Sequence, residues 1–76
     1  MSHHVLDARG LLCPMPVIKT QNEILRLAPG DTLEVIASDP GALNDIPAWC
    51  RIHGHKLVST HRDEDDVRVR IEVCAT

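Results

Sequence analysis

Apolar positions along this chain follow two rhythms. From Pro14 onward, Val17, Ile18, Ile24, Leu25 and Ala28, with Gln21 in step, recur at helical spacing, while Lys19, Thr20, Asn22, Glu23 and Arg26 fall largely on the other faces. The spacing predicts a first helix beginning at Pro14 and halted by Pro29-Gly30. The second rhythm is alternation. Val67, Val69, Ile71 and Val73 interleave with Arg68, Arg70, Glu72 and Cys74, which predicts a half-buried strand.

The intervening stretches complete the order. Thr32-Leu33-Glu34-Val35-Ile36-Ala37 reads as a central strand, and His4-Val5-Leu6-Asp7 as a short first one. Ser38-Asp39-Pro40-Gly41 marks a helix start, with Asp39 as cap and Pro40 at the first position; for Asp7 and Asp39 the alternative to turn and cap roles is a positioning role near Cys13. Pro47 leaves two readings: a turn followed by a helix capped at Asp45, or one helix from Pro40 to His53 kinked near Pro47. Either way Leu43, Ile46, Cys50 and His53 form its buried stripe, and Gly54 ends it. His55 to Arg62 is a strand of mixed character, joined to the last strand through the acidic turn Asp63-Glu64-Asp65-Asp66. The order β-α-β-α-β-β predicts an α/β (α+β) two-layer sandwich, with two helices on one face of a four-stranded mixed sheet. Arg68, Arg70 and Glu72 then lie on the opposite face. Residues 1–76 are expected to form a single domain.

Composition narrows the function. Trp49 is the only aromatic residue, so the core must be built from Val, Ile, Leu and Ala, and base stacking has almost nothing to use. The net charge of −3 argues against a broad phosphate-binding footprint. No run is long and apolar enough for a bilayer, and the first residues lack signal-peptide character, so a cytoplasmic location is expected. Cys13, Cys50 and Cys74 are odd in number and widely spaced, unlike a disulfide framework, and no Cys-x-x-Cys pair is present.

Of the three, Cys13 carries the chemistry. It sits in Leu12-Cys13-Pro14-Met15-Pro16, where a turn ending in Gly10 becomes the first helix. Pro14 suits the first helical position and Pro16 is tolerated in the first turn, leaving the N–H groups of Met15 and Val17 near the sulfur. A thiol at that end of a helix is expected to favour the thiolate, and Arg9 and Lys19 are expected to add positive potential. Cys50 reads as a buried core residue, its functional alternative being a resolving thiol for Cys13. Cys74 reads as incidental. Cys50, His53 and His55 include metal-ligand types, but they lack a paired fourth ligand and straddle a predicted helix end, so no metal is expected. Trp49 is assigned to packing of the second helix, with a partner anchor as its alternative.

The segment Leu6-Asp7-Ala8-Arg9-Gly10-Leu11-Leu12-Cys13-Pro14-Met15-Pro16 resembles the opening of TusA-type (SirA-like) sulfur-carrier proteins, whose signature is Cys-Pro-x-Pro at the start of the first helix. The likeness continues through Pro29-Gly30-Asp31, Ser38-Asp39-Pro40 and Asp45-Ile46-Pro47-Ala48-Trp49-Cys50, and covers essentially the whole chain. It implies a sandwich similar to the C-terminal domain of bacterial translation initiation factor three. It also implies a sulfurtransferase role in which Cys13 accepts a sulfane sulfur as a persulfide and passes it to a partner cysteine, in tRNA thiolation or sulfur oxidation. The expected partners are a persulfide donor protein of cysteine desulfurase or rhodanese type and an acceptor sulfur-transfer protein, with no nucleic acid and no membrane. The chain is expected to be a monomer and to need no cofactor beyond the transient persulfide. Arg9, Met15 and Lys19 are the expected docking rim around Cys13, with Arg26 more distant on the first helix. The competing reading is a non-catalytic protein- or RNA-binding regulatory module of the same fold.

Overall fold

A computed structural model describes residues 1–75. The elements are β1 (His3–Ala8), α1 (Met15–Ile24), β2 (Thr32–Ala37), α2 (Ala42–His53), β3 (Lys56–Arg62) and β4 (Val67–Glu72). The sheet order is β1-β2-β4-β3, with β1 parallel to β2 and the other pairs antiparallel. This is the mixed sheet and element order expected from the sequence.

Alternation decides which face is buried. Leu33, Val35 and Ala37 of β2 lie opposite Ile71, Val69 and Val67 of β4, and all six are buried against the helices. On the other face, Glu34 stands between two cations, accepting from Arg70 Nη2 at 3.0 Å and Arg68 Nη1 at 3.4 Å. These pairs are partly solvated, so each contributes on the order of 0–1 kcal/mol.

The helices differ from the sequence pattern in instructive ways. α1 starts at Met15, with Pro14 as its N-cap and Pro16 in the first turn, and it ends at Ile24 rather than reaching Ala28. Beyond that end the N–H groups of Arg26 and Leu27 bond to carbonyls three residues back, a tighter turn. The Asp31 carboxylate then accepts from Ala28 N and Ser2 N. The buried row of α1 is Pro16, Thr20 and Ile24, whereas Ile18 and Leu25 are exposed. Thr20 enters the core because its hydroxyl donates to Pro16 O at 2.8 Å, so that hydroxyl is not left unpaired.

α2 is one helix through Pro47, the second of the two readings, though it begins at Ala42 rather than Pro40. Ala42, Ile46 and Cys50 are buried and Leu43 packs against the core. His53, expected on that stripe, is exposed. Gly54 ends the helix at φ +77°, and its N–H bonds to Cys50 O. In β3 every residue is exposed, and the register with β4 shifts between Leu57 and Ser59. That irregularity explains the mixed pattern, because an extra residue breaks strict alternation.

Candidate functional site

β1 and β2 are parallel and finish together, with Ala8 opposite Ala37. The two loops that follow therefore leave the same sheet edge side by side, the usual location of sites in sheets with parallel strands. Gly10, at φ +80°, turns the first loop, and its N–H donates to Ser38 Oγ of the second at 2.8 Å. Asp39 continues the junction. Its Oδ1 accepts from Gly41 N at 3.0 Å and its Oδ2 from Cys13 N at 3.2 Å. Asp39 is thus not the cap of α2, whose N-cap is Gly41. It braces the turn before α2 and holds the backbone of the cysteine.

Cys13 is exposed, and its Sγ donates to Asp45 Oδ2 at 3.1 Å. Asp45 lies in the first turn of α2, where the helix dipole favours a carboxylate. The hydrogen bond to Asp45 leads the causes that raise the Cys13 pKa above the ordinary thiol value; desolvation and the charges of Asp45 and Asp39 add to it. The sequence placed Cys13 in a setting that favours the thiolate, and that expectation is corrected: the Asp45 carboxylate meets the sulfur and the Asp39 carboxylate meets the backbone N–H of the same residue. The Met15 N–H expected to stand free beside it is occupied by Leu12 O at 2.9 Å.

Of the cations expected to help, Arg9 is engaged elsewhere. Arg9 makes two bonds to the Asp7 carboxylate, both 2.9 Å, and lies 3.9 Å from Asp66. The Arg9 guanidinium and the Arg9 N–H hold the Asp7 carboxyl down to about 2. Lys19 and Arg26 share a separate shallow groove with Leu6, Asn22 and Glu23. Met15 is exposed, as are the apolar side chains of Leu12 and Ile18 that flank Cys13 in the chain. Asp45 and Ser38 are the site residues that sequence reasoning missed. The parallel pairing of β1 and β2 was the available signal, since it places residues 38–45 next to residues 9–13.

The other cysteines lie apart. Cys50 is fully buried, and burial pushes its thiol up to about 11, so it is not poised to resolve a bond at Cys13. Cys74 is half-buried, its N–H donating to His55 Nδ1 at 3.1 Å. Trp49 packs on the core and stacks on His53 and His55, with ring centroids 4.7 and 5.3 Å away. Together with Gln21, Leu25 and Ile52 these rings line a groove of about 500 Å³ at the C-terminal ends of both helices. Burial is the main cause that lowers the His55 pKa, with His53 adding. Among the described residues no three His, Cys, Asp or Glu side chains converge as metal ligands, and no helix is long and apolar enough to cross a membrane.

The class is that of a two-layer α/β sandwich presenting one exposed cysteine between the starts of its two helices. The chain belongs to the TusA family, whose model, described as "Sulfurtransferase TusA", matches residues 4–73. It is 47% identical over 66 residues to YrkI of Bacillus subtilis, an alignment spanning 87% of each chain. It is likewise 47% identical over 66 residues to the sulfur carrier protein TusA of Pseudomonas aeruginosa, covering 83% of this chain and 84% of that one. Among solved structures, a SirA-like protein from Desulfitobacterium hafniense superposes with a TM-score of 0.81 at 19% identity, covering 95% of this chain and 99% of that one. That likeness establishes the shared fold.

Proposed function

We propose that this protein is a sulfur carrier that takes up a sulfane sulfur as a persulfide on Cys13 and hands it to a cysteine of a partner protein. The observation that carries the reading is the exposed Cys13 sulfur at the junction of the two loops, in a chain related to proteins named sulfur carriers. In loading, the Cys13 sulfur attacks the terminal sulfur of the donor persulfide. One S–S bond forms as the donor's breaks, and the donor sulfur leaves with the electron pair and gains the proton that Cys13 gives up. Delivery repeats the exchange with Cys13 as the leaving sulfur. Nothing is oxidised or reduced overall, so no cofactor takes part. The donor is a cysteine desulfurase or rhodanese-type protein and the acceptor another sulfur-transfer protein, in cytoplasmic trafficking toward tRNA thiolation or sulfur oxidation.

Incubation with a persulfide donor, followed by intact-mass measurement, tests the reading. Wild type is expected to gain about 32 Da per sulfur atom, the mass of the transferred sulfur. Cys13→Ser is expected to gain none, and Cys50→Ser to load normally. Loading that survives Cys13→Ser and vanishes in Cys50→Ser overturns the assignment.

A further inference from the structure

Two carboxylates face Cys13, and their contacts differ. Asp39 has structural duties, holding Gly41 N and Cys13 N. Asp45 lies in the first turn of α2, and its carboxylate meets the sulfur itself at 3.1 Å. We propose that Asp45 is a positioning residue for the carried sulfur: its carboxylate holds the empty thiol by accepting its proton in a hydrogen bond, and repels the arm once the sulfur is loaded as an anionic persulfide. The inference rests on the carrier reading for its second half only.

The argument is electrostatic. An empty Cys13 is a donor, and Asp45 is an acceptor within reach. After loading, the inner sulfur carries no proton to donate, and the terminal sulfur, which ionises more readily than a thiol, brings a negative charge toward Asp45 and Asp39. A hydrogen bond is replaced by like-charge repulsion. Both changes favour the empty state, so the carrier holds its cargo loosely and the arm points to solvent. Among the described residues no cation forms an ion pair with Asp45 or Asp39. Arg9 of the first loop is committed to Asp7 and Asp66, and Lys19 of α1 lines the groove shared with Glu23 and Arg26. The direction of the Cys13 shift agrees with the geometry.

The experiment has two arms, each on wild type, Asp45→Asn and Asp45→Ala, with folding checked by circular dichroism. The first follows iodoacetamide alkylation of empty Cys13 against pH by peptide mass. Both variants are expected to shift the rate profile to lower pH and to react several-fold faster at neutral pH; profiles that coincide with wild type overturn the hold on the thiol. The second equilibrates each protein with glutathione persulfide and glutathione and measures the loaded fraction. The variants are expected to be loaded several-fold more, relative to empty, than wild type; an equal or smaller ratio overturns the repulsion. If wild type takes up no sulfur at Cys13, the carrier reading falls with the second half, while the alkylation profiles still decide the first.

Discussion

Ala8 lies opposite Ala37 at the shared end of two parallel strands, and from this one pairing the site is assembled. Residues 26 and 32 positions from Cys13, namely Asp39 and Asp45, are brought to its backbone N–H and its sulfur because the loops start together. The consequences can be measured.

Asp39→Ala removes the acceptor for both Gly41 N and Cys13 N. Loss of such side-chain-to-backbone bonds costs on the order of 1 kcal/mol. A lowered urea midpoint is expected, together with faster hydrogen exchange at the amides of Cys13 and Gly41. Unchanged exchange at Cys13 would show that the junction is held by other contacts.

Cys50 is sealed in the core and its thiol is pushed up to about 11. With the native protein at neutral pH, a chromogenic disulfide reagent is expected to spare Cys50 while modifying Cys13. After denaturation it is expected to reach all three cysteines. Rapid labelling of Cys50 in the native protein would contradict its burial.

Stability is expected to fall on acidification. Asp7 is held down to about 2 by Arg9, and Asp31 is lowered by the N–H groups of Ala28 and Ser2. For each, the unfolded chain binds more protons between the native and unfolded pKa, so the contribution is present above about pH 4 and is lost as the pH falls toward the native value. His55, lowered mainly by burial, acts with the same sign just below its ordinary value. Urea midpoints measured from neutral to acidic pH are expected to decline. In Asp31→Asn the decline below about pH 4 is expected to flatten.

Gly54 adopts φ +77° with open space where a Cβ would stand. Gly54→Ala therefore tests backbone conformation alone, and an expected loss of about 1 kcal/mol follows from the left-handed region. Denaturant unfolding of the variant checks it; a change of sign would mean that the helix end relaxes.

The strand and helix order was legible in the sequence because burial there follows simple rhythm. Val67, Val69 and Ile71 alternate in the chain and are buried in the fold. The details that failed depend on partners distant in sequence. Periodicity ranks Ile18 above Thr20, yet the sheet lies under the Pro16-Thr20-Ile24 row, and a local bond to Pro16 O lets the hydroxyl enter. Helical position also argued for an ionised Cys13. The opposing influence comes from Asp45, which only the pairing of β1 with β2 brings near. Arg9 was expected beside the sulfur because it is close in sequence, but Asp7, two residues away on the same strand end, claims it.

The slip in register between Leu57 and Ser59 falls on a strand that borders the sheet, with Lys56 at one end and Arg62 at the other. A straight, apolar border would offer a template on which further molecules could stack edgewise into ribbons. The register shift and the terminal cations spoil that template along this border of the sheet.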